Sequence, residues 1–370
     1  MKTRSAGWFR LLAVTALLAA ACGATTTGTR TSTSRTDNPT PTTSSRPTQQ
    51  TPCSQSNPCL ALVTLRGSNT TVVRDITDIT HPKTVSTFNN VSPQFISSTD
   101  VSYVDGNNLI RRRWAGSTPA TVVSSSQGIG SFAWSPDGNS VVYVTQANPA
   151  SVHQLSSIGD RVLGSIPDGG VGGCEAISSC TLPNWLDFQL HFSPDGTFVS
   201  LVIETFSGSV FRLWSSDAKV LKSSDGQGAT MSTWSGRGLY FRDAKGVEVW
   251  RDGVVSSFLP GVVWIKPKAS PGGGQIVYTV RDSSGWGHVF VVDTTTRNVR
   301  ELKTARTDAV FLTSRYIWYQ GERACVAADQ CGTAPPFHPL SGKTYIYDLQ
   351  DGTETESIIT SVHDVWPHAA

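Results

Sequence analysis

Cysteine is the residue type with the clearest chemical pattern in this chain. Six of its seven cysteines form three pairs with five residues between the members: Cys53 and Cys59, Cys174 and Cys180, and Cys325 and Cys331. Zinc sites use ligands roughly two to four residues apart that converge with others on one ion. These pairs lie more than one hundred residues apart, with no histidine cluster between them. Buried free thiols would need apolar flanks, yet polar residues separate the cysteines. The spacing therefore favours three local disulfides, which require an oxidising compartment.

The N-terminal segment, residues 1–22, has the composition of an export signal. A basic start precedes an apolar run over residues 11–21, which is too short to span a bilayer. The junction Ala-Ala-Ala-Cys resembles the bacterial lipoprotein signal, and this resemblance implies that Cys22 carries the lipid. That signal usually has leucine where Ala19 stands, so a plain secretory signal is the alternative. Both interpretations predict an exported protein, and the first predicts one anchored to the bacterial membrane by lipid.

Residues 23–52 differ sharply in composition from the rest of the chain. They consist mainly of Thr, Ser, Pro, Arg and Gln, which cannot bury enough apolar surface to offset chain entropy. We therefore expect a disordered tether that holds a folded domain, residues 53–370, outside the cytoplasm. Residues 51–370 contain 24 basic and 27 acidic side chains. This mildly acidic balance argues against nucleic-acid binding, and we expect a monomer.

A repeat organises the folded domain. The stretches SFAWSPDGNSVVYV (131–144) and LHFSPDGTFVSLVI (190–203) each contain an apolar strand, a Ser-Pro-Asp-Gly turn and a second strand. Weaker copies follow, and the residue before the turn recurs at intervals of 35 to 58 residues, at Phe95, Trp134, Phe192, Trp234, Ala269 and Phe311. Four-stranded repeats of about 40 residues are typical of a β-propeller.

The Trp/Phe-Ser-Pro-Asp-Gly motif at 134–138 and 192–196 resembles the repeats of TolB-type, WD-like propellers. This resemblance implies an all-β, closed propeller over most of residues 60–366. Residues 60–90 supply three strands without an innermost one, and VHDVWPH (362–368) has the pattern of an innermost strand. We therefore expect the C-terminal strand to complete the first of seven four-stranded blades. Six or eight blades are the alternatives.

Two of the cysteine pairs fall in insertions of the repeat. On the propeller topology, both insertions emerge on the top face, which carries the loops from second to third strands and from outer strands to the next blade. Long loops on a rigid scaffold often carry function. The sequence thus predicts a binding surface for a protein or a cell-envelope glycan at Asn184, Trp185, Trp286, Glu322, Arg323, Asp329 and Gln330.

The sequence contains little that indicates catalysis. It lacks a G-x-S-x-G elbow and an H-E-x-x-H motif, so we expect no catalytic residue, metal or cofactor. The main hypothesis is a non-enzymatic binding or scaffold lipoprotein. An alternative is a lactonase-like or glycosidase-like enzyme that uses the central channel, where His191, Lys268, His363 and Asp364 supply titratable groups. The TolB resemblance implies a third hypothesis, a component of an envelope-maintenance complex.

Overall fold

The fold is built from β-strands over the part of the chain that the computed structural model describes. That part is residues 53–368 without 55–56, 69, 148, 167–187, 206–207, 227–228, 327–328 and 330–338. Its 28 strands form seven antiparallel sheets of four strands each. In six of these sheets the strands are consecutive in the chain. The architecture is a closed seven-bladed β-propeller, as predicted.

Each blade has an inner strand beside the channel, followed outward by three more. Blade 1 contains β28 (Ile359–Trp366), β1 (Leu60–Leu65), β2 (Thr71–Asp75) and β3 (Lys83–Phe88). Blades 2 and 3 contain β4 (Gln94–Phe95), β5 (Asp100–Asp105), β6 (Asn108–Arg113), β7 (Ala120–Ser124), β8 (Ile129–Trp134), β9 (Val141–Thr145), β10 (Ser151–Ser156) and β11 (Gly159–Ser165). Blades 4 and 5 contain β12 (Phe188–Phe192), β13 (Phe198–Thr205), β14 (Gly208–Ser215), β15 (Val220–Gly226), β16 (Thr230–Ser235), β17 (Gly238–Asp243), β18 (Gly246–Arg251) and β19 (Val254–Pro260). Blades 6 and 7 contain β20 (Ile265–Ala269), β21 (Gln275–Arg281), β22 (Gly287–Asp293), β23 (Val299–Thr304), β24 (Arg306–Phe311), β25 (Tyr316–Arg323), β26 (Leu340–Asp348) and β27 (Glu354–Ser357).

The C-terminal strand closes the ring. β28 pairs with β1 in antiparallel register, with Trp366 opposite Leu60 and Ser361 opposite Thr64. This confirms that the last strand of the chain becomes the inner strand of the first blade. Pairing with β28 covers the edge of β1 that would otherwise be open to another strand.

The Ser-Pro-Asp-Gly turns form the inner hairpins of blades 3 and 4. In blade 3 the amide of Gly138 donates to the carbonyl of Ser135 at 2.8 Å, and the Ser135 hydroxyl donates to Asp137 at 2.5 Å. Gly138 has φ +68°, where a β-carbon would be strained. Blade 4 repeats the same bonds from Ser193 to Asp195 and closes with Gly196 at φ +72°. The motif therefore fixes the register of these hairpins through its own side chains.

The apolar core lies between adjacent blades. Trp234 is 5% exposed, stacks on Phe198 and donates its indole N–H to Ser200 at 2.9 Å. Trp134 and Trp366, at the equivalent repeat positions, are partly buried against the clusters between blades 2 and 3 and between blades 1 and 2. The recurring aromatic residue before the turn is thus a blade-packing residue.

Candidate functional site

The two faces of the propeller follow from strand direction. Adjacent strands are antiparallel, so the turns after the inner strands all lie on one face, which we call the bottom. The loops between the second and third strands lie on the opposite face, the top. β1 begins opposite Trp366, the last residue of β28, so it starts at the bottom face. Immediately before it, Cys53 and Cys59 form a disulfide with 5.3 Å between their α-carbons. This bond lies where the N-terminal segment joins the domain.

The other cysteines are described only in part. Cys325 is disulfide-bonded. Its predicted partner Cys331, the pair Cys174 and Cys180, and Cys22 lie outside the described residues.

A polar cleft opens at the top of blade 2. Its inner strand β4 has only two residues, whereas β8 of the next blade has six. Beside this short strand lies a cavity of about 550 Å³, bounded by blades 1, 2 and 3. Its polar lining is uncharged apart from the titratable imidazole of His363, and includes Thr64, Thr71, Asn90, Ser92 and Ser131. We refer to this cavity as the upper cleft.

His363 is the titratable side chain that lines the upper cleft. Its Nε2 lies 2.8 Å from the Thr64 hydroxyl and 3.2 Å from the Ser361 hydroxyl. Burial lowers the pKa of His363, and the negative charge of Asp364 opposes this effect only in part. The imidazole is therefore neutral at physiological pH, and the upper cleft carries no formal charge.

The upper cleft continues into the central channel, a cavity of about 530 Å³. The two cavities share Gln94, Ser131, Phe132 and His363. Unlike the cleft, the channel is lined by a group of ionisable side chains, His191, Lys268, Asp364 and His368, which we call the channel cluster.

Asp364 binds one other member of the channel cluster, His368, and links it to blade 2. One of its oxygens accepts the amide of Phe95 at 2.7 Å and lies 3.1 Å from Nε2 of His368. Burial lowers the pKa of His368, but the charge and hydrogen bond of Asp364 outweigh it, so the pKa is raised overall. The His368 side chain is 41% exposed, so solvent weakens the lowering of its pKa by burial.

His191 has the opposite behaviour. Burial, with a further contribution from the charge of Lys268, lowers its pKa to about 4, and Asp364 opposes the shift. His191 is therefore neutral at physiological pH. Lys268 is exposed to the channel, and no carboxylate of the described residues lies within ion-pair distance of it. The cluster thus combines a cation, a carboxylate and two imidazoles of different basicity.

The inner strands carry more charge than the sequence indicated. Lys266 of β20 and Asp308 of β24 form an ion pair of 2.9 Å between blades 6 and 7. Both have positive φ, as does Met231 of β16, and all three sit in β-bulges at equivalent positions of adjacent blades. Neither Lys266 nor Asp308 was among the titratable inner-strand groups that the sequence indicated, which were His191, Lys268, His363 and Asp364.

The predicted top-face residues do not form one exposed surface. Glu322 is a correction to that prediction, because its side chain is only 2% exposed. It pairs with Arg281 at 3.0 Å and accepts the amide of Gly287 at 2.7 Å, so it anchors two blades instead of facing a partner. Trp286 is half-buried in the β21–β22 hairpin.

Arg323, the last residue of β25, binds Asp329 in the loop that follows. Two hydrogen bonds of 2.6 and 2.8 Å join the guanidinium to the carboxylate, which also accepts the amide of Val326 at 2.8 Å. This pairing lowers the pKa of Asp329 to about 2. Asn184, Trp185 and Gln330 lie outside the described residues.

Comparisons with known proteins support the fold. No protein-family model and no curated protein matches the chain. Among solved structures it is similar to a tricorn protease, at 11% identity and a TM-score of 0.51, over 82% of this chain and 33% of that one. It is also similar to a prolyl endopeptidase, at 12% identity and a TM-score of 0.52, over 80% of this chain and 49% of that one. The chain thus spans half or less of these two proteins.

A third similar structure is TolB from Acinetobacter baumannii, at 16% identity and a TM-score of 0.42, with 83% of this chain and 81% of that chain covered. At these identities the similarity concerns the propeller fold, which many unrelated functions share.

Two further observations concern the described residues alone. They contain no helix with the length and apolar character needed to cross a membrane. They also contain no group of three or more His, Cys, Asp or Glu side chains arranged to hold a metal ion.

Proposed function

We propose that the protein is an exported lipoprotein, anchored through Cys22, whose propeller binds a partner protein at the top face without catalysing a reaction. The observation that carries this proposal is the upper cleft. It opens on the face opposite the Cys53–Cys59 junction, where an N-terminal anchor would leave a partner room to approach. Its hydroxyl, amide and neutral imidazole groups are suited to hydrogen bonding with an uncharged ligand surface.

The channel cluster supports a binding role better than a catalytic one. The Asp364 carboxylate is already engaged by the Phe95 amide and by His368. The low pKa of His191 makes it a weak base, because so acidic an imidazolium holds a proton poorly near neutral pH. The Asp364 carboxylate thus joins the inner strands of blades 1 and 2.

The proposal is tested by photo-cross-linking in intact cells. A photoreactive amino acid replaces Asn90, an exposed residue that lines the upper cleft, in the full-length chain. The matched control places it at Asn139, an equally exposed asparagine in the bottom turn of blade 3. We expect a discrete protein adduct from position 90 and none from position 139. Equal adducts from both positions, or none from either, would contradict top-face binding.

A Cys22→Ala variant tests the anchor separately. Loss of the protein from the membrane fraction is expected if Cys22 carries the lipid. An unchanged membrane fraction would refute the anchor while leaving the cross-linking result in force.

A further inference from the structure

The second strands of six blades are paired along their upper half with the inner strand. The position three residues after the second-strand residue that pairs with the marker residue before the turn (Trp366 in blade 1, then Trp134, Phe192, Trp234, Ala269 and Phe311) shows this pairing. The pairs are Val63 with Val362, Val144 with Ser131, Val202 with Gln189, Arg242 with Thr230, Thr279 with Ile265, and Gln320 with Thr307. The equivalent residue of blade 2 is Val104, because Val101 pairs with the marker residue Phe95. Val104 has no partner in β4.

The sequence before β4 explains this difference. β4 pairs Gln94 with Ser102 and Phe95 with Val101. Continuing the register would place Ser92 opposite Val104. Pro93, which lies between Ser92 and the first residue of β4, has no amide hydrogen to donate to a neighbouring strand. Asn90 has φ +58°, outside the extended region. The chain therefore departs from the strand before it reaches Val104.

The peptide groups of Val104 point toward the missing strand. Residues of an antiparallel strand alternate in the side to which their N–H and C=O groups point. The carbonyl of Asp100 accepts the amide of Ile96, on the β4 side, so Ser102 and Val104 face that side as well. Among the described residues, no backbone hydrogen bond joins Val104 to Ser92. Val104 also lines the upper cleft and is only half-buried.

We infer that the upper cleft accepts an extended peptide segment of the partner protein, which adds to β5 as the missing upper part of the inner strand of blade 2. This inference rests on the proposed function and specifies how the partner binds. A peptide supplies the donor and acceptor, spaced along a strand, that Val104 requires, and this is the pattern of β-strand addition. The shortfall of β4 relative to β8 is four residues (six minus two), which sets the length of the added segment.

The lining of the cleft defines the side chains of that segment. The hydroxyl groups of Thr71, Ser92 and Ser131 suit small polar side chains, and Val91 and Phe132 provide an apolar wall. The absence of a formal charge among the described lining residues disfavours a charged residue, since burial would strip its hydration without a compensating partner. The segment is therefore uncharged, with alternate residues directed at the apolar wall.

Hydrogen exchange tests the open edge without any ligand. In the full chain, the amide of Val104 should exchange at least tenfold faster than the amide of Val144, its paired equivalent in blade 3. Equal protection of the two amides would overturn the inference, because the edge would then already be occupied by the protein itself.

Binding is tested with a phage-displayed library of random seven-residue peptides, selected on the full chain. Selected peptides should lose binding to a Ser92→Trp variant, which fills the cleft from an exposed position, and should keep it with Ser126→Trp, an exposed control on the loop before β8. A peptide that adds as a strand should lose about tenfold in affinity when alternate backbone amides are N-methylated, and little at intervening positions. It should also protect the Val104 amide.

Three results would overturn the inference. The first is a selected peptide that binds the Ser92→Trp variant unchanged, and the second is an N-methyl scan without alternation. The third is protection of the Val104 amide by chitotriose, a neutral sugar probe, with no peptide able to do so. In each case a protein adduct from position 90 in cells would still support top-face binding. Absence of that adduct, with a normal peptide result, would refute the proposed function in cells and leave the strand-addition chemistry intact.

Discussion

The upper cleft and the central channel are neighbouring cavities that differ in charge. The lining of the cleft is uncharged, whereas the channel contains the ionisable side chains of the channel cluster. β28 contributes consecutive residues to them, with His363 lining both cavities and Asp364 lining only the channel. His363 contacts two hydroxyls, whereas Asp364 binds a backbone amide and an imidazole. The difference shows that one inner strand can supply an uncharged surface at the top and an ionic cluster lower down. Four predictions test this division.

The largest effect is expected from Asp364→Ala, compared with His363→Ala. Loss of the carboxylate leaves the Phe95 amide without its acceptor and His368 without its counter-charge, which should lower the free energy of unfolding by about 2–3 kcal/mol. His363→Ala removes contacts to hydroxyls that water can replace, and should cost less than about 1 kcal/mol. Urea unfolding measures both values. Equal losses in the two variants would remove the proposed difference.

A second effect concerns acid stability. The pKa of His191 is about 4 in the folded chain, below its value of about 6.5 in the unfolded chain. Well above pH 6.5 the imidazole is neutral in both the folded and the unfolded state, so it does not make stability depend on pH there. As pH falls from 6.5 toward 4, only the unfolded state takes up a proton, and stability should decrease by roughly 1–2 kcal/mol after allowance for channel water. His191→Gln should remove this dependence. Parallel pH profiles of the free energy of unfolding in the two proteins would contradict the assignment.

A third prediction concerns the effect of the Lys268 charge on the pKa of His191. Because its charge helps to lower the pKa of His191, Lys268→Gln should raise that pKa by less than about one unit. NMR titration of the His191 ring follows the shift. Lys266→Gln is the matched control, since Lys266 is paired with Asp308 and should leave His191 unchanged. A shift of similar size in both variants would show that the channel responds to net charge alone.

The smallest effect is expected in the upper cleft. Because burial lowers the pKa of His363, its imidazole is mostly neutral at pH 7 and above, so peptide affinity in the upper cleft should be constant between pH 7 and 8.5. Isothermal titration calorimetry of a selected peptide over this range provides the measurement. An affinity that changes tenfold would mean that the channel cluster takes part in binding.

The fold could be predicted because its signals are local. The hairpin of blade 3 is fixed by contacts among Ser135, Asp137 and Gly138, which belong to the motif by which the repeat is found in the sequence. Ring closure was predictable for a related reason, since an unpaired first blade and a final strand pattern complement each other.

The site was less predictable because its determinants lie far apart in the chain. Glu322 seemed to belong to an exposed loop, yet Arg281, about forty residues earlier, draws its carboxylate into the protein. The truncation of β4 did have a local signal, Pro93 at an inner-strand position, but its effect depends on the register with β5, which the sequence does not state. The ion pair of Lys266 with Asp308 depends on bulges in two neighbouring blades, which have no local sequence signal.

Ring closure has a consequence for how the chain reaches its native state. Thr64 and His363, which touch across the β1–β28 seam, are 299 residues apart. Contacts between such distant residues slow folding, because a large loop must be ordered before they form. Blade 1 cannot be completed until β28 has been synthesised. Until β28 pairs with it, β1 has an unpaired edge, so the arrival of the C-terminal strand sets when the ring closes.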